Sequence, residues 1–173
     1  MNYIATAFVF AFYLTIPQSA FSQNDLIREE KRLASEMYSW ANNCVGPCIL
    51  PKKFLEGGSG KPFILAALKL KEDNKALRVI GAAYCSSACA VLVDKLKSFG
   101  GDVCVEKGML LRFHRAFALE PNPDGSKKYE DTTPTIAVPG AKAWIDANGG
   151  IPADGSWIVI PTSIVATQYG YCP

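Results

Sequence analysis

Two adjacent hydroxyls, Ser86 and Ser87, stand between Cys85 and Cys89 in the stretch RVIGAAYCSSACAVLVDKL, directly after an apolar run and directly before a helix-like one. Strand, tight small-residue turn and helix is the geometry that lifts a side chain off the C-terminal edge of a sheet. It also aims the first helical N–H groups at whatever binds beside that side chain. A serine there can act as a nucleophile, given a base within hydrogen-bond reach, backbone donors for an oxyanion and a group that orients the base. The flanking residues do not follow G-x-S-x-G, because Gly81 lies too far upstream and Cys89 stands where the second glycine would be. An α/β-hydrolase elbow is therefore disfavoured.

Other parts of such a site occur elsewhere in the chain. His114, the only histidine, lies 27 residues beyond Ser87 and ends the phrase LLRFH, a strand that could run beside the serine's own. Gly57 and Gly58 precede a helix by a few residues, so their amides can point into the same crevice with no side chain in the way. Each part has an ordinary structural use as well: serine as an N-cap, a Gly-Gly pair as a turn, a lone histidine with no catalytic role.

The elements that would position these residues can be read from periodicity. Asn24 to Ala41 opens on an Asn-Asp capping signal and carries apolar residues at helical spacing. CVGPC is a Gly-Pro turn, Cys48 to Leu55 holds a short, poorly patterned strand, and the glycines of EGGSGKP require a loop. Phe63 to Lys71 is apolar all round, as a largely buried helix would be. Leu77 to Ala83 reads as one short buried strand and Ala88 to Phe99 as a helix ended by Gly100-Gly101. DVCVEKGMLLRFHRA contains two short strands about Lys107-Gly108. Such alternation of helix and strand predicts an α/β fold with a mostly parallel sheet. Further on, Glu120 to Thr135 is a polar, exposed loop that could cover the crevice, and Pro139 to Pro152 has helix chemistry. Trp144 and Trp157 read as core or interface residues rather than substrate platforms.

Composition bounds the function. The chain has 173 residues, 49% hydrophobic and 20% charged, which fits one globular domain. Its 18 basic and 16 acidic residues are scattered and leave a formal charge of +2, too balanced for a nucleic-acid or anionic-membrane surface. Ile4 to Ile16 is uncharged and is followed by Pro17 and by Ala20 and Ser22, small residues suited to signal-peptidase cleavage. The run is shorter than the roughly 20 residues a spanning helix needs. The expected organisation is a signal peptide over residues 1–22 and a single domain over 23–173, periplasmic or secreted, with no membrane association after cleavage.

The chain from Glu56 to Ala116, EGGSGKPFILAALKLKEDNKALRVIGAAYCSSACAVLVDKLKSFGGDVCVEKGMLLRFHRA, resembles the core of the Clp-protease/crotonase superfamily. Within it, the likeness is to exported ClpP-like proteins whose nucleophile region reads C-x-S-A-C. A Gly-Gly loop about thirty residues before the serine and a histidine closing a later strand belong to that pattern, and Gly58 lies 29 residues before Ser87. The tail SIVATQYGYCP is similar to the helix and turn near the end of that core. The resemblance implies a ClpP/crotonase-like α/β fold, a mostly parallel sheet with flanking helices. It would be shortened at its N-terminal side, because the 34 residues from Gln23 to Glu56 scarcely hold a further strand and helix.

The same resemblance implies roles for single residues. Ser87 would be the nucleophile, with Ser86 the runner-up or a polar neighbour, and His114 the general base. The amides of Gly58 and Ala88 would form the oxyanion hole, with Gly57 beside them. No acid aligns near Ile158 as orienting group, and Asp154 and Asp146 are the nearest candidates. The implied chemistry is acyl transfer on a peptide or protein substrate, without cofactor or metal. The alternative is a catalytically inactive, disulfide-stabilised binding or structural module. Assembly is open, since the protease family forms rings while exported relatives need not.

The even cysteine count agrees with export, and Cys44, Cys48, Cys85, Cys89, Cys104 and Cys172 allow up to three disulfides in fifteen connectivities. Two CxxxC spacings and a distant histidine disfavour structural zinc. A bridge made by Cys85 or Cys89 would rigidify the serine turn, Cys44 and Cys48 can close their own turn, and Cys172 can staple the tail to the body.

Overall fold

The computed structural model describes residues 23–117, 123, 128–130 and 135–173. The leader expected over residues 1–22 and most of the loop expected over Glu120 to Thr135 lie outside them. The described chain opens on α1 (Gln23–Asn43), which therefore includes Asn24 and Asp25 instead of being capped by them. Met37 and Ala41 are buried and Leu33 and Trp40 partly so, a stripe at helical spacing that packs against α2 (Gly60–Glu72). The last carbonyls of α1 are not left bare: Lys75 Nζ donates to those of Ala41 and Asn42 at 3.1 and 3.0 Å. The CVGPC turn that follows is closed by a Cys44–Cys48 disulfide.

After β1 (Cys48–Ile49) a single tight helical turn, Lys52–Phe54, drives Phe54 into the core and delivers the chain to Glu56 and the Gly-Gly pair. Helix α2 buries Phe63, Ala66, Ala67 and Leu70 but leaves Leu65 and Leu68 exposed, so it is a half-buried helix and not the largely buried one its composition suggested.

The strand reading is corrected here. Leu77 to Ala83 is not one strand: β2 (Leu77–Val79) ends, the chain turns at Gly81, and β3 (Tyr84–Ser86) belongs to a different sheet. Gly81 has φ +88°, which a β-branched or bulky residue would not tolerate, and its N–H donates to the Glu106 carboxylate at 2.6 Å. Helix α3 (Ala88–Ser98) leads to β4 (Val103–Val105), and β5 (Leu110–Phe113) then returns to the second sheet. In place of one mostly parallel sheet there are two of three strands. One is all parallel in the order β1-β2-β4. The other pairs β3 with β5 in parallel and β5 with β8 (Ile158–Ile160) antiparallel. A short antiparallel pair, β6 (Ala116–Phe117) with β7 (Tyr129–Glu130), brackets the polar segment.

Helices α4 (Pro139–Ala147) and α5 (Thr162–Gln168) complete the described elements. The tail is pinned to β4 by the Cys104–Cys172 disulfide and by the Cys172 N–H donating to the Val105 carbonyl at 2.9 Å. Its two cysteines are 68 positions apart, a loop whose closure restrains the unfolded chain by about 4 kcal/mol on the entropic account. All six cysteines are paired, and among the described residues no helix is long and apolar enough to cross a membrane. Three disulfides fit an oxidising compartment outside the cytosol.

One buried carboxylate holds the C-terminal elements on α3. Asp94 accepts from the N–H groups of Ala137 and Val138, at 2.6 and 3.0 Å, and from the Tyr169 hydroxyl at 3.0 Å. Burial pushes both the Asp94 carboxyl and the Tyr169 hydroxyl to higher pKa, so the tyrosine stays a donor. Asp94→Ala leaves three donors facing an apolar hole, and urea unfolding should show a loss of about 3–5 kcal/mol. Asp94→Asn keeps one acceptor and should lose less; equal stability of all three proteins would contradict this latch.

Candidate functional site

Strand β3 carries the chain from the core to the serine pair, and two hydrogen bonds fix its end. The Ser86 N–H donates to the Leu55 carbonyl and the Ser87 N–H to the Arg112 carbonyl, both at 2.9 Å. Ser87, half-buried, then takes φ 54° and ψ −122°, the backbone of a turn position that favours glycine. Among the described residues the only other non-glycine at positive φ is Asn74, just past the end of α2, where asparagine is tolerated. A serine held in this region costs about 1–3 kcal/mol, and such strain concentrates at functional sites. Nor is Ser87 spending its hydroxyl on the helix, because it precedes α3 without making a side-chain cap. The Cys85–Cys89 disulfide spans the turn, with both sulfurs fully buried.

The Gly-Gly loop lies directly against this turn. A Cβ on Gly57 would come within 2.7 Å of the Ser86 carbonyl oxygen, 2.8 Å of Ser87 Cβ and 3.0 Å of the Ala88 nitrogen, so only glycine allows the approach. The Gly57 N–H is used within its own loop, donating to the Phe54 carbonyl at 3.1 Å. Those of Gly58 and Ala88 have no acceptor among the described residues. Ala88 opens α3, so its N–H carries the partial positive charge of a helix start.

Register brings β5 alongside. Ser86 pairs with Arg112, and His114 stands two residues further on, just past the end of β5. Its Nδ1 lies 2.5 Å from the Arg115 carbonyl oxygen, a partner that requires Nδ1–H and leaves the Nε2 lone pair as the basic site. The ring meets Trp157 edge-on, centroids 4.4 Å apart at 73°. Burial pushes the imidazole below its usual pKa; the Arg115 carbonyl opposes this and the Arg112 charge adds to it. No hydrogen bond joins Ser87 to His114. Asp154 does not touch the imidazole either: its Oδ1 accepts the Ser156 N–H at 2.9 Å in an exposed turn. Asp146 pairs with Lys142 at 2.7 Å. One group holding the imidazole is the backbone carbonyl of Arg115.

Ser86 is fully buried, and its hydroxyl accepts from Arg112 Nε at 2.7 Å. Arg112 also lies over two rings, with Cζ 4.5 Å from the Tyr84 centroid and 4.4 Å from that of Trp157. Trp157 is 41% exposed on the open face of this sheet, so the core alternative for it is corrected. Alternation in LLRFH, which sets Leu110, Arg112 and His114 on one face, was the available signal for the arginine. Two shallow clefts, near Asn74 and Gly100 and near Arg78 and Tyr171, include none of these residues. No family model, curated protein or solved structure matches the chain.

Proposed function

We propose that the protein is an exported serine hydrolase, a peptidase of the ClpP-like kind within the Clp-protease/crotonase superfamily, periplasmic or secreted. The observation that carries this reading is Ser87: strained, not capping its helix, and packed on a glycine whose neighbour Gly58 and the helix-opening Ala88 offer unspent amides. Ser87 Oγ attacks the peptide carbonyl while His114 Nε2 takes its proton. The oxyanion is received by the N–H groups of Gly58 and Ala88, and His114 returns the proton to the leaving amine. Water then hydrolyses the acyl-enzyme by the same base.

Catalytic hydrogen bonds are often unformed in a free enzyme, so the reading requires the Ser87–His114 bond only in the substrate complex. The Arg115 carbonyl accepts from Nδ1 and so holds the imidazole in the tautomer whose Nε2 can take the Ser87 proton. The lack of a Ser87–His114 hydrogen bond favours the second reading, a binding module that keeps the fold without the reaction.

The test is a fluorophosphonate, with the adduct mapped by mass. Labelling should fall on Ser87, and its rate should rise as His114 loses a proton, with the midpoint below the ordinary histidine value of 6.5. Undiminished labelling of His114→Ala would remove His114 as the base, and an unlabelled, folded protein would leave the binding module.

A further inference from the structure

The outward face of the β3-β5-β8 sheet carries Tyr84 and Ser86 on one side strand, Arg112 and His114 along the middle one, and Trp157 by the other. Tyr84 and Trp157, 38% and 41% exposed, therefore flank the Arg112 guanidinium from opposite sides. The two rings confine the group from either side, and the Nε bond to Ser86 fixes its direction. The terminal nitrogens are held far less. Their one partner among the described residues is the Glu56 carboxylate at 3.4 Å, longer than an ordinary charged hydrogen bond, and the Glu56 side chain is 78% exposed.

We propose that Arg112 is the specificity residue of the Ser87 site and receives a carboxylate of the substrate, the free C-terminus of a short peptide, in place of Glu56. A guanidinium confined between two rings and tied at Nε loses little further entropy when a carboxylate takes its open edge in a two-point contact. Position sets which carboxylate it is. The Arg112 carbonyl accepts the Ser87 N–H and its Nε holds Ser86, the residue before Ser87. At about 3.3–3.6 Å per extended residue, an anion on this fork lies only a few residues from the bond Ser87 would attack. That distance fits cleavage close to a chain end, so an internal side-chain carboxylate is not required.

This assignment rests on the hydrolase reading for its catalytic meaning, yet binding can be measured apart from it. Acetyl-trialanine, as the free acid and as the carboxamide, would be titrated into Ser87→Ala protein and followed by calorimetry and by the indole NMR signal of Trp157. The acid should bind at least about tenfold more tightly than the amide. Arg112→Gln should erase that preference, Arg112→Lys should restore part of it, and Glu56→Gln should increase it. Glu56 is exposed, so its variant remains informative even where Arg112→Gln fails to fold. Equal binding of acid and amide, binding of neither, or a preference that survives Arg112→Gln would overturn the assignment. Phosphonate labelling of Ser87 in the wild type is read separately. An acid preference without labelling supports the carboxylate site and defeats the hydrolase, and labelling without the preference does the reverse.

Discussion

Ser87→Gly should give a protein about 1–2 kcal/mol more stable than the wild type and wholly unreactive towards a fluorophosphonate. The backbone at φ 54°, ψ −122° is open to glycine and strained for any residue with a Cβ, by about 1–3 kcal/mol. Part of that gain is offset because glycine frees the unfolded chain, at about 0.5–1 kcal/mol. Ser87→Ala behaves differently: it removes the hydroxyl but keeps the Cβ, and no side-chain cap is lost, so its stability should match the wild type. Both variants should be unlabelled, and any hydrolysis should fall by several orders of magnitude. Urea unfolding with intact-mass readout separates the two effects. A gain in stability together with loss of reaction is the mark of strain kept for function. If Ser87→Gly were instead less stable, the conformation would be no burden and the argument for a selected nucleophile would collapse.

How far the site was legible depends on how local its determinants are. The turn at Ser87 follows from small residues between an apolar run and a helix, all within ten positions, and the helices follow from periodicity that α1 and α3 largely obey. The approach of β5 to β3 was within reach because each strand leads directly into a polar residue, Ser87 and His114, at one edge. The division into two sheets was not, because strands of three residues have no period to read and the deciding signal is one glycine, Gly81, whose N–H finds Glu106 25 positions away. The Arg115 contact of His114 was illegible for a different reason. The sequence names side chains, and the Arg115 partner of His114 is a backbone oxygen available at any residue. Arg112 needed the register of β8, which brings Trp157 to one side of a guanidinium that Tyr84 flanks on the other.

Gly57→Ala should have the second large effect. The added methyl would meet the Ser86 carbonyl oxygen at 2.7 Å, Ser87 Cβ at 2.8 Å and the Ala88 nitrogen at 3.0 Å, none of them the free end of a flexible side chain. The backbone at φ +90° is unfavourable for alanine in addition. Either the loop or the serine turn must retreat, and the Cys85–Cys89 disulfide with the hydrogen bonds of Ser86 and Ser87 makes the loop the weaker party. Its retreat carries the Gly58 amide away from Ala88, and losing one oxyanion donor costs about 10²–10³ in rate. Gly60→Ala is the matched control. Nothing lies within 4 Å of a Cβ there, and the position opens α2, so labelling should be unchanged and stability equal or slightly higher. Labelling of folded Gly57→Ala at the wild-type rate would show that the loop supplies no donor. The pair of amides would then reduce to Ala88 alone, and one helix-opening N–H is too little to hold an oxyanion through acyl transfer.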